Sequence, residues 1–144
     1  MAKKNYITLA RKSALIQISE LRKIKKVFNS SFTKAVELIL NCKGKVIFAG
    51  IGKSGLIARK ISATFSSVGI PSFFCDPAQA LHGDMGQIEK RDILIIFSYS
   101  GNTSELTNML KFANRYRIKI IGVASKPESN LLKASDVKLI LPKV

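Results

Sequence analysis

Residues 45–55 read Lys45-Val46-Ile47-Phe48-Ala49-Gly50-Ile51-Gly52-Lys53-Ser54-Gly55. A short unbroken apolar run stops at glycine, as a strand buried on both faces does. The stretch Ser54 to Val68 then places Ile57, Ile61, Phe65 and Val68 at helical spacing, before Gly69 and Pro71 close it. The hydrophobic period has switched from strand to helix across one glycine-rich turn.

The same switch recurs downstream. Ser72 to Cys75 reads as a strand, and Asp76 to Asp84 as a loop with a short helical turn. Asp92 to Ser98 is the strongest strand pattern in the chain. Ser104 to Tyr116 is a helix with Leu106, Met109, Leu110 and Ala113 on one face, capped by Ser104 or Thr103. Ile118 to Ala124 is a strand, Glu128 to Ala134 a short helix, and Val137 to Leu141 a last strand. Upstream, Ile7, Ala10, Ala14, Ile18, Leu21 and Phe28 mark an amphipathic helix. Phe32, Ala35, Val36, Ile39 and Leu40 mark a second, capped by Ser30 or Ser31 and ended by Asn41 to Gly44. Apolar strands alternating with helices specify an α/β fold, a three-layer α/β/α sandwich around a five-stranded parallel sheet, preceded by two helices within residues 3–43.

Composition bounds the rest. The 144 residues suit one domain spanning 1–144. No apolar run approaches the roughly 20 residues of a membrane-spanning helix, and no membrane partner is expected. Cys42 and Cys75 make no disulfide framework. Twenty-four Lys and Arg against nine Asp and Glu give a net charge of +15, and over half of the excess lies in residues 1–45. Such a surface draws polyanions and small phosphates alike. Most often such a charge is merely a solvated face; it follows no nucleic-acid-binding motif, and no nucleic-acid partner is expected.

In parallel sheets ligands sit beyond the carboxyl ends of the strands, and three loops there carry chemistry. Gly50 to Gly55 fits GxGxxG and opens a helix, with Asp76 where a ribose-binding acid would stand in a dinucleotide site. Lys53 within that turn, and Pro77 directly after Asp76, count against a dinucleotide; under either reading the glycines and helix N-terminus favour an anion. Ile47 excludes the nucleotide-binding lysine loop, which needs glycine there. Ser98-Tyr99-Ser100-Gly101-Asn102-Thr103-Ser104-Glu105 offers hydroxyls, a glycine and a second helix N-terminus, which together suit a phosphate dianion. Ala78-Gln79-Ala80-Leu81-His82-Gly83-Asp84 holds the one histidine. The spacing of Asp76, His82 and Asp84 is poor for a metal, and none is expected.

Taken together, GIGKSG, PSFF, DPAQALHGDMG and SYSGNTSE resemble the sugar isomerase (SIS) domain over almost the whole chain, and within it the catalytic domain of arabinose-5-phosphate isomerases. The resemblance implies a flavodoxin-like sheet and an aldose–ketose isomerase that interconverts D-arabinose 5-phosphate and D-ribulose 5-phosphate. It further implies a cytoplasmic enzyme supplying Kdo for lipopolysaccharide or capsule, and a homo-oligomer, a tetramer, with sites formed between chains. By position, Gly52, Ser54, Ser98, Ser100, Gly101, Asn102 and Thr103 become phosphate-binding, and Lys53, His82 and Glu105 catalytic. Glu105 is the candidate base, its carboxyl raised in a partly dry site; Lys53 and His82 share phosphate binding, enediolate stabilisation, ring opening and proton shuttling. No cofactor is implied. The family's chains continue past the last strand into further site residues and two regulatory CBS modules, absent after Pro142-Lys143-Val144; this piece is therefore expected to be an isolated or truncated domain, in which binding need not bring turnover. A phosphohexulose isomerase, a phosphosugar-sensing module of a regulator, and a NAD-binding domain stand as alternatives.

Overall fold

The computed structural model describes residues 5–143; the start of the expected helical region, at residues 3 and 4, and Val144 lie outside the described residues. Five strands form one sheet: β1 (Val46–Gly50), β2 (Ser72–Cys75), β3 (Ile93–Phe97), β4 (Lys119–Ala124) and β5 (Val137–Ile140). Their order is β2-β1-β3-β4-β5 and every pairing is parallel. The helices are α1 (Tyr6–Lys23), α2 (Ser30–Leu40), α3 (Lys53–Ser67), α4 (Leu106–Arg115) and α5 (Asn130–Ala134).

Alternation along the central strands divides the core in two. Ile47, Ala49, Leu94, Ile96 and Ile120 face α4 and α5, meeting Leu106, Met109, Leu110, Leu131 and Leu132. Val46, Phe48, Ile93, Ile95 and Ile121 face α2 and α3, meeting Ala35, Leu38, Ile39, Ala58, Ile61 and Phe65. Covered on both sides, β1 is buried throughout, which is why its sequence is apolar at every position.

Four local expectations are corrected. Asn29, not Ser30 or Ser31, caps α2, its Oδ1 accepting the Ser31 N–H at 2.8 Å. Glu105 occupies the N-cap position of α4 without a side-chain capping bond, in place of Ser104 or Thr103. On α3 the buried residues are Gly55, Ala58 and Ser62, while Ile57 and Val68 are exposed, because small residues let the helix settle closer to the sheet. The first helix ends at Lys23, and Ile24–Val27 forms a tighter single turn. None of the residues of α1 is buried; Ile7, Ile16, Ile18 and Leu21 all stand in the open.

Candidate functional site

The register of β1 and β3 builds the site. Gly50 pairs with Phe97, so the chain leaves both strands at the same level. Between these strands the connections diverge, β1 leading to β2 on one side while β3 lies on the other. An open parallel sheet binds its ligands at such a point.

The turn after β1 is made by glycines. Gly52 has φ +56° and ψ −126°, a conformation that disfavours a Cβ. A Cβ on Gly55 would stand 2.6 Å from the Gly50 carbonyl oxygen, so this pair lets α3 begin directly against the strand end. Lys53 and Ser54 are the first two residues of α3, where unpaired N–H groups and the helix dipole favour an anion.

The turn after β3 is held by its own hydroxyls. Ser98 Oγ lies 2.9 Å from Thr103 Oγ1 and accepts the Gly101 N–H at 3.1 Å. Ser100 Oγ accepts the Asn102 N–H at 3.3 Å. Gly101 takes φ +67°, which turns the loop back toward α4.

Lys53, Ser54, Ser98, Ser100 and Thr103 thus line a single cleft of about 370 Å³, walled by Ile51, Phe97 and Tyr99. Two other hollows, of about 270 and 510 Å³, are lined chiefly by apolar side chains beside α1 and α2 and offer little to a phosphate. Of the residues singled out in the sequence, five meet in the cleft. Gly52 and Gly101 shape its turns. Asn102 is exposed and its Oδ1 accepts the Asn130 N–H at 2.9 Å.

His82 and Glu105 do not line the cleft. His82 ends a single helical turn (Ala80–His82) in the loop after β2, and is exposed. Glu105 is exposed at the start of α4 and accepts the Ser104 hydroxyl at 2.8 Å. Its own backbone N–H and Ser104 hold its carboxyl below the usual carboxylate range, which corrects the expectation of a dry site that raises it.

Asp76 is engaged locally. Its Oδ1 accepts the Ala78 N–H at 3.0 Å and its carbonyl accepts from Gln79 and Ala80, so it serves as a turn cap rather than a ribose-binding acid. Burial, with the charges of Asp84 and Asp76, pushes the Cys75 thiol up to about 11, which keeps it protonated and unreactive at neutral pH. Among the described residues no group of three or more His, Cys, Asp or Glu side chains is placed to hold a metal ion.

Reading the sequence missed the cleft wall at Tyr99, and also the segment Ser125–Leu131 that backs the second loop. The strand-end rule, extended to β4, would have reached Ser125, the first residue after that strand; nothing in the sequence marks its bond to Tyr99.

An open parallel sheet with a hydroxyl- and amide-rich cleft at its switch point defines the class: an α/β domain with a strand-end cleft. Residues 39–144 match the SIS domain model, and the chain belongs to that family. It is homologous to the arabinose 5-phosphate isomerases; KdsD of Escherichia coli O157:H7 is 44% identical over 119 residues, 83% of this chain and 36% of that one. The chain spans between 36% and 43% of the length of the curated relatives it matches. Among solved structures, c3406 of E. coli CFT073 in complex with arabinose 5-phosphate has a TM-score of 0.86 at 34% identity, covering 100% of this chain and 77% of that one. The Vibrio vulnificus NanR protein complexed with ManNAc-6P has a TM-score of 0.84 at 18% identity over 94% of this chain and 52% of its own, a likeness of fold alone.

Proposed function

We propose that this domain holds the phosphate of a pentose phosphate between residues 51–54 and 98–103, and serves the interconversion of D-arabinose 5-phosphate and D-ribulose 5-phosphate. One observation carries the reading: Lys53, Ser54, Ser98, Ser100 and Thr103, from two different strand ends, line the same cleft. A cation, four hydroxyls and two helix starts supply the donors that a dianion needs. The likeness to the arabinose 5-phosphate isomerases and to the complex with arabinose 5-phosphate supports the choice of sugar.

The reaction is an internal redox exchange. A base takes the proton from C2, the C2 carbon–hydrogen electrons form the C1–C2 double bond, and the carbonyl oxygen on C1 becomes the enediol oxygen. Returning a proton to C1 while O2 gives one up yields the ketose. C1 is reduced as C2 is oxidised, so no external oxidant enters the balance. Glu105 is proposed as the base: it lies outside the cleft lining, two residues beyond Thr103 in sequence. Lys53 binds the phosphate or stabilises the enediolate; His82 opens the sugar ring or carries protons between O1 and O2.

A homo-oligomer, a tetramer, is part of the proposal. The exposed apolar side chains of α1, Ile7, Ile16, Ile18 and Leu21, support it, because uncovered apolar surface favours association. A cytoplasmic place in the supply of Kdo is likewise proposed, and the homology to the arabinose 5-phosphate isomerases supports it.

An isomerase assay tests the reading, with arabinose 5-phosphate set against related sugar phosphates, on this chain and on a longer version. Turnover of arabinose 5-phosphate by the longer version is expected. Tight binding without turnover by the longer version would instead point to a sensing module. Turnover confined to a hexulose phosphate would move the assignment to that substrate.

A further inference from the structure

The second loop of the cleft is interlocked with the segment after β4. The main-chain N–H and the hydroxyl of Ser125 both donate to the Tyr99 carbonyl, at 2.9 and 2.8 Å. The Leu131 N–H donates to the Gly101 carbonyl at 2.9 Å. A Cβ on Gly101 would stand 2.2 Å from Ser129 Oγ, so the turn lies directly on that residue.

The start of α5 is unusual. Ser129 holds the N-cap position but makes no capping bond, and its buried hydroxyl has no hydrogen-bond partner. The first N–H of the helix, that of Asn130, is taken instead by Asn102 Oδ1 at 2.9 Å, across 28 positions of sequence. Asn102 is thus the cap of a helix to which it does not belong. Its own N–H donates to Ser100 Oγ, one of the cleft hydroxyls, so the cap and the cleft share a residue.

We propose that Asn102 is a positioning residue and not a phosphate ligand: by capping α5 it fixes the turn that presents Ser100 and Thr103 to the cleft. The inference rests on the proposed phosphate site. It also says which substitution the site tolerates. Aspartate retains the acceptor and caps helices as well as asparagine does, whereas alanine has none. A ligand role would reverse this order, since aspartate adds a negative charge beside the phosphate and removes the amide donor.

The test is calorimetric titration of the wild-type chain, Asn102→Ala and Asn102→Asp with inorganic phosphate and with arabinose 5-phosphate. Measurements are made at about 0.15 M salt, which screens exposed charges, and well below each melting temperature. Asn102 is exposed, so both variants fold. The alanine variant is expected to bind both ligands roughly five- to tenfold more weakly, and the aspartate variant to stay within about threefold of wild type. Aspartate losing as much as alanine or more would overturn the positioning role, as would an alanine variant that binds like wild type. A wild-type chain that binds neither ligand would overturn the phosphate site itself, and the positioning role with it.

Discussion

Ser98 Oγ lies 2.9 Å from Thr103 Oγ1, and the pair closes the turn between β3 and α4. Ser98 is buried and also accepts the Gly101 N–H, so one hydroxyl organises both ends of the loop. Each hydroxyl can donate in turn, which lets the pair shift its protons toward an anion placed in the cleft without moving heavy atoms.

Ser98→Ala removes both bonds at once. It leaves the Gly101 N–H without its side-chain acceptor and Thr103 without a partner in the turn. Urea unfolding is expected to show a loss of about 1–3 kcal/mol, together with weaker binding of arabinose 5-phosphate. A variant as stable as wild type would mean that the turn is held from elsewhere.

Lys53 is exposed at the first position of α3. Lys53→Ala should therefore leave stability within about 0.5 kcal/mol of wild type, while weakening phosphosugar binding by roughly tenfold or more, the scale of a charge-assisted hydrogen bond. Calorimetry reads the affinity, and an unchanged value removes Lys53 from the site.

Glu105→Gln, made in a longer version that turns over, is expected to lower kcat by about 100-fold or more with KM nearly constant. The carboxyl is held below the usual range by its own N–H and by Ser104. The base form thus persists through neutral pH, and any acid limb of kcat due to this group falls below the ordinary glutamate value. Normal turnover in the variant would assign the base to another group.

Asp136 offers a stability test. Burial raises its carboxyl, but the Lys119 ammonium at 2.6 Å and the Ile120 N–H at 2.9 Å outweigh that and leave it lowered. A carboxyl lowered on folding stabilises the protein above its unfolded value, and that contribution disappears as pH falls through the folded value. Wild type is therefore expected to lose stability on acidification from this site, and Asp136→Asn to lose less over the same range. Parallel acid curves from urea unfolding would contradict the assignment.

Particular residues explain what is legible in the sequence. Each strand can be placed to within one residue at either end: β1, β3 and β4 because interior strands covered on both faces are nearly unbroken apolar runs, and the edge strands β2 and β5 because turn residues bound them. The two cleft loops are legible as hydroxyl- and glycine-rich turns at strand ends. The inner face of α3 is legible only in part: Ile61 and Phe65 pack against the core as their spacing predicts, whereas Ile57 and Val68 are exposed and close approach to β1 buries Gly55, Ala58 and Ser62 instead. The cap of α2 is ambiguous by residue type, since Asn29, Ser30 and Ser31 are all favoured and only the backbone geometry selects Asn29; Glu105 holds the N-cap position of α4 without a side-chain bond, which no residue type signals. The bracing of Tyr99 by Ser125, and of Asn102 by Asn130, joins segments about 26 to 28 positions apart and leaves no local pattern.

The most direct measurement is a crystal structure of this chain soaked with arabinose 5-phosphate. The account predicts the phosphate between the two strand ends, within hydrogen-bonding distance of Ser54, Ser98, Ser100 and Thr103, with Lys53 at its edge. A phosphate seated away from both turns, with those hydroxyls still bonded only to one another, would contradict it.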